Sequence, residues 1–290
     1  MKRFMVVTII LLAAVATGMG QPAPKLSQAS SSDPVLRAML EELERSKAKL
    51  KLPDVDAPYY IEYRISDVDE FQMDAVFGAL RLQSATRVRL LRVVVRVGSY
   101  KQDSYYGMGE GLANIAVLDD DIPALRHQLW LNTDRAYKMA SEALTQKQAV
   151  LKQLNVENPV DDFSKAAPVE SVQPLVHIQM DTQSWIETLR AASALYRQDP
   201  QLQDFEAALR YSATNRYLVN TEGAIVRDGK ALYNIHVGGS TQAADGMHLD
   251  QGVGLCGDNA FRASGPRHYS GTSWQGHHLL EGVACGSHVR

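Results

Sequence analysis

The side chains best equipped for chemistry crowd the C-terminus. In "GPRHYSGTSWQGHHLLEGVACGSHVR" (265–290) stand His268, His277, His278, Glu281, Cys285 and His288, all residue types that bind zinc. Their spacing does not assemble a centre. "HHLLEG" lacks the histidine that would complete an inverted zinc signature, and the glycines interrupt any helix that would align ligands. His277, His278, Cys285 and His288 are ligand types without the supporting groups that orient a metal site. No residue qualifies as catalytic, and the substrate-binding residues are not identified by sequence.

Other constellations are weaker still. Ser240, His248 and Asp250 offer a nucleophile, a base and an orienting acid, but the serine follows two glycines at a strand end and not in a Gly-x-Ser-x-Gly elbow. Gly107, Gly109 and Gly111 in "YYGMGEGLANIAVLDDD" imitate a dinucleotide loop. Leu112 stands where the next glycine belongs, and no helix begins directly behind to receive a phosphate, so the segment reads as a loop after a strand. His177 and His236 are isolated in apolar runs and are expected to be satisfied by local hydrogen bonds.

The elements that must position these residues are easier to read. Lys2 and Arg3 precede "FMVVTIILLAAVA", an apolar run too short for the ~20 residues of a membrane span. Small and then polar residues follow. Residues 1–20 read as a signal peptide cut between Ala16 and Gly20, which predicts an exported, periplasmic or secreted protein without membrane attachment after cleavage. Residues 21–33 read as a disordered Pro/Ser/Gln-rich linker. Beyond it, 45% hydrophobic residues, 22% charged residues and a net charge of -3 fit a globular chain and give no electrostatic footprint for nucleic acid. Only Cys256 and Cys285 are present, and the sequence leaves open whether they pair.

Asp33 and Pro34 announce a helix whose inner face is Val35, Leu36, Met39, Leu40 and Leu43. "YYIEYRISDVDEF" (59–71) predicts a strand, and "AVFGALRLQSATRVRLLRVVVRVGSYK" predicts two more, at about 75–83 and 87–99, broken at Ser84–Thr86. Arg87, Arg89, Arg92 and Arg96 are expected to pair with Glu62, Asp67, Asp69, Glu70 and Asp74 across strands. A long helix starts at Asp121, with Leu125, Leu129, Ala136, Met139, Ala140 and Leu154 on its buried stripe. Another starts at Asp181 or Thr182 and buries Trp185, Ile186, Leu189, Ala192 and Leu195. Strands follow at about 203–212, 215–220, 223–228 and 231–241, with turns at Asn220–Gly223, Asp228–Gly229 and 244–246. The order helix, strands, helices, strands predicts an α+β fold, a mainly antiparallel sheet covered on one face by helices.

On these residues the chain resembles the N-terminal domain of the TldD/PmbA metallopeptidases. The resemblance covers about 34–245 and rests on the strand pair 59–98, the helix from Asp121 and above all "SATNRYLVNTEGAIVRDGKALYNIHV" after "DFEAALRYSATNR". It implies a domain, set at 34–257, that helps to form the chamber of a dimeric zinc peptidase acting on peptides or unfolded segments. In that family zinc resembles a His-Glu-x-x-x-His site in a separate C-terminal domain, with a distant cysteine. No histidine here is followed by glutamate, so zinc is expected only outside this chain, and none of the family's catalytic or metal positions carries over.

From about 258 the apolar periodicity gives way to His, Gly, Ser and Arg. Residues 258–290 therefore read as an irregular tail, the frame-shifted or truncated start of a catalytic domain. The alternatives are a stand-alone exported module that binds a peptide or protein, and a non-functional gene fragment.

Overall fold

The Val-, Leu- and Arg-rich stretch after residue 59 folds into two long strands, not three. In the computed structural model, which describes residues 28–53, 55–105, 111–155 and 160–258, β1 (Tyr60–Val76) and β2 (Ala79–Arg96) form one hairpin. Phe77 and Gly78 make its turn, both at positive φ. The expected break at Ser84–Thr86 does not occur: these small residues run in register opposite Gln72, Phe71 and Glu70. Short polar side chains are tolerated there because this part of β2 is largely exposed.

The same correction applies nearer the C-terminus. β5 (Asp204–Asn220) and β6 (Ala224–Gln242) are continuous and antiparallel. Asn220 closes their turn as expected, its Oδ1 accepting from the amides of Glu222 and Ala224 while Gly223 takes φ 93°. Asp228–Gly229 is not a turn; both lie inside β6, opposite Arg216 and Asn215. Glycine is needed there for space, because a Cβ would sit 2.9 Å from both Asn215 Oδ1 and Val176 Cγ1. The turn at 244–246 forms, with Gly246 at φ 88°, and leads into β7 (His248–Gly257).

Two short strands had no clear signal. β3 (Leu112–Ile115) pairs with 90–93 of β2, so the glycine-rich segment leads into a strand. β4 (Val169–Val172), in the proline-bearing stretch, runs parallel to the start of β6. The sheet order is β3-β2-β1-β5-β6, with β4 and β7 sharing the outer edge of β6.

The helices lie on one face of this sheet, as expected for the α+β class. Helix α1 (Gln28–Ser32) falls in the segment read as a linker, which is thus structured at its end: Ser30 is buried and donates to Glu170 on β4 at 2.6 Å. Helix α2 (Pro34–Lys49) is capped by Asp33, which accepts from the Leu36 amide. Helix α3 (Ile122–Gln153) starts after Asp121 as predicted, without a side-chain cap bond. Its buried stripe runs through Leu125, Leu129, Thr133, Ala136, Tyr137 and Ala140; Met139 and Leu154 point outward instead. Helix α4 (Thr182–Ser193), capped by Asp181, continues into a 3-10 turn ending at Gln198. Among the described residues no helix is long and apolar enough to cross a membrane.

Alternation explains the covered face. Along β5, Phe205, Ala207, Leu209, Tyr211, Ala213, Asn215, Tyr217 and Val219 are all buried, and the residues between them are mostly more exposed. Two apolar clusters form on that face. The larger joins α2 and α3 to Ile61, Tyr63, Ile65, Leu91, Val93, Tyr217 and Val219. The smaller joins Leu189 of α4 to Met73, Ala75, Ala207 and Leu209.

Candidate functional site

Between the two clusters the covered face turns polar. Arg89 of β2, Asp67 of β1 and Asn215 of β5 stand in one cross-strand row, with Gly229 of β6 next in line. All three side chains are buried. Arg89 donates to Asp67, to Asp120 at 2.8 Å and to the carbonyls of Val117 and Asp119. Arg87 binds the same carboxylate from the outside at 2.7 Å. Asn215 exchanges two 2.9 Å hydrogen bonds with the backbone of Val176. Burial works against the Asp67 carboxylate, but the hydrogen bonds from Arg87 and Arg89 outweigh it and hold its pKa below the usual carboxylate range. The row is fully bonded and faces protein, so it positions the strands and offers nothing to a ligand.

Among the described residues the opposite face carries no helix. Ion pairs, within β1 and across strands, alternate there with leucines. Arg64 reaches Glu62 at 2.6 Å, and Arg216 grips Asp228 with two bonds of 2.8 and 2.9 Å. Leu90 is 47% exposed and Leu232 43%. Arg81, at the irregularity between Asp74 and Ala75 of β1, bridges Asp74 and Glu206. At the rim of this face, β3 pairs only with 90–93, so among the described residues the outer edge of β2 over 79–88 has no strand beside it. A free strand edge presents unpaired backbone donors and acceptors, which an extended peptide can complete. Such a surface binds; it does not by itself break bonds.

The arginines fall partly as expected. Arg87 pairs with Asp67 and Asp69, and Arg89 with Asp67. Arg96 instead stacks over Phe163, 3.5 Å from the ring centroid, and Arg92 stands opposite Arg64 in the register. Arg81 and Asp120 were missed: each acts through a loop or an irregular strand position that periodicity does not encode.

Among the described residues the sequence-nominated chemistry does not assemble. His268, His277, His278, Glu281, Cys285 and His288 lie outside the described residues. His248 does meet Asp250, at 3.0 Å, but both are more than half exposed. Ser240 lies directly opposite Asp250, so the acid and not the histidine is its register partner. His236 is no buried histidine: it is 46% exposed, and its Nδ1 lies 3.7 Å from Glu206. His177 is exposed. Among the described residues no three His, Cys, Asp or Glu side chains come together in a group that could hold a metal ion. The described residues therefore do not fit a zinc centre.

No protein-family model matches the chain, and no curated protein matches its sequence. Several solved structures are similar to it. One is a candidate modulator of a DNA gyrase from Thermotoga maritima, with 9% identity, a TM-score of 0.45, and coverage of 78% of this chain and 45% of that one. Another is TldE from Thermococcus kodakarensis, with 12% identity, a TM-score of 0.43, and coverage of 77% and 43%. A third is a candidate modulator of DNA gyrase from Bacteroides thetaiotaomicron, with 6% identity, a TM-score of 0.47, and coverage of 76% and 44%. The chain spans less than half the length of each.

Proposed function

We propose that this chain is a peptide-handling domain of the TldD/PmbA type, one that shapes a chamber for peptides or unfolded segments and leaves zinc chemistry to another domain or subunit. The observation that carries the reading is the outer edge of β2 over 79–88, which among the described residues has no strand beside it and lies at the rim of a sheet face without helices. An extended segment added there would be held through its main chain, which suits a binder of many sequences. The resemblance of "SATNRYLVNTEGAIVRDGKALYNIHV" supports the family assignment, and export by the N-terminal leader and pairing with a second family member belong to the same proposal.

The test is site-specific photo-crosslinking on the full chain. A photoreactive side chain replaces exposed Gln83 on the edge or exposed Lys138 on α3. The probe is a synthetic extended peptide of alternating valine and threonine. Capture at position 83 and not at 138, competed by unlabelled peptide, is expected. Equal or absent capture at the two positions overturns the reading.

A further inference from the structure

A second surface lies in the helical layer, between α2 and α3. Arg37, Glu41 and Arg45 project from one stripe of α2, four residues apart. Facing them are Ile122, Pro123, Arg126, His127 and Trp130 from the first turns of α3. Between the stripes runs an open groove of about 550 Å³. Its floor is Glu42, 2% exposed, which accepts from Arg45 Nε at 2.7 Å. Arg126 gives Nη1 to Glu41 at 2.9 Å, while its Nε is shut off from solvent with no acceptor, 3.6 Å from Glu42 Oε2. Three guanidinium groups thus meet two carboxylates along the groove.

At one end stands Trp130, 42% exposed. Its ring lies 5.9 Å from the Arg45 guanidinium and 5.7 Å from the His127 ring. A large indole left half in water beside arginines has the composition of an interface anchor, since tryptophan and arginine dominate binding energy where proteins meet. The apolar walls at Ile122 and Pro123 continue that anchor.

We infer that this groove docks an acidic protein segment that carries an aromatic or branched side chain within one helical turn of its carboxylate. The apolar side chain covers Trp130 and Pro123. The carboxylate takes the outward guanidinium of Arg37, which is 56% exposed and held only by Glu41 among the described ion pairs. It also draws on the accessible part of the Arg126 guanidinium, whose side chain is 35% exposed. The groove is open along its length, which suits a segment of chain better than an enclosed small molecule.

The probe is a fluorescein-labelled peptide of alternating glutamate and phenylalanine, compared with its lysine-phenylalanine counterpart on the full chain. Saturable anisotropy with the acidic peptide alone is expected, weakening as salt rises. Trp130→Ala and Arg37→Glu, both at exposed positions, should each weaken it at least about tenfold with unchanged melting curves. The indole N–H signal of Trp130, assigned by its loss in Trp130→Phe, should shift on titration while those of the other two tryptophans stay in place. Equal binding of the lysine peptide, absence of binding, or binding that leaves the Trp130 signal unmoved each overturns the inference. Because the groove lies between α2 and α3 and includes no residue of the β2 edge, crosslinking at position 83 and indole shifts at position 130 fail or succeed independently.

Discussion

Arg89 stands directly opposite Asp67 across β1 and β2, with Nη2 2.5 Å from the carboxylate in the polar row that divides the covered face. Arg89 is 1% exposed, so removing its main partner leaves a buried guanidinium held by the half-exposed Asp120 and two carbonyls. Asp67→Ala is expected to destabilise the fold by about 3–5 kcal/mol, measured by urea unfolding. A cost below 1 kcal/mol would show that the row contributes little.

The same pair sets an acid limit. The folded pKa of Asp67 is depressed, so its contribution is complete above the unfolded pKa of about 3.9 and is lost as pH falls through the lower folded value. Unfolding free energy should therefore decline below about pH 4. In Asp67→Asn, which cannot titrate there, the decline should be shallower than in the parent. Parallel slopes in denaturant titrations at stepped pH would assign the acid sensitivity to other carboxylates.

Two glycines should respond to alanine for different reasons. At Gly229 the backbone is unstrained but the space is filled, with Asn215 Oδ1 and Val176 Cγ1 each 2.9 Å from the added carbon. Gly229→Ala should cost about 1–3 kcal/mol, by overpacking. At Gly246 the nearest atom is 3.9 Å away but φ is +88°. Gly246→Ala should cost about 1–2 kcal/mol, through backbone strain alone. Lengthening the substitution to leucine separates them: the loss grows at 229 and stays level at 246 in thermal unfolding.

Asp33 has two duties. One carboxylate oxygen caps α2 through the Leu36 amide at 2.9 Å, and the other binds the Arg227 guanidinium of β6. Both residues are at least nine-tenths buried. Asp33→Asn keeps a capping oxygen and loses the charge, whereas Asp33→Ala loses both. The alanine variant should be the less stable, by about 1 kcal/mol, the worth of the cap. Equal stabilities would mean that the ion pair alone anchors the helix.

Much of this fold is legible in the chain because alternation and capping are local signals. Asp33, Asp181, the Asn220–Gly223 turn and the stripe of α2 all follow from residues within one or two turns of each other. Of the stripe expected for α4, by contrast, only Leu189 is fully buried, and Leu195, in the 3-10 turn, is 41% exposed. The α+β class and the one-sided helix layer follow from their order. What misled was glycine and small-residue punctuation. Gly229 has the letter of a turn residue after Asp228, yet its role is set by Val176, more than fifty positions away. Ser84–Thr86 look like a break only if strand length is judged without the partner strand. The arginine–aspartate pairing across β1 and β2 was readable from opposite charges on neighbouring strands. The α2–α3 groove was not, because Arg126 and Trp130 acquire their meaning from Arg37 and Arg45 on a helix some eighty residues earlier. The free edge of β2 was hidden for a related reason: an edge is a property of what fails to pair, and no residue type encodes it.

The bond between Asp33 and Arg227 joins positions 194 residues apart. A ribosome adding roughly 5–20 residues each second needs about 10–40 s to cover that interval. Throughout it the nascent α2 has its cap but not its ion partner, and β1 lacks β5, the neighbour on its inner side. The early half of the sheet must therefore wait in the cell with one flank unpaired until the late half emerges.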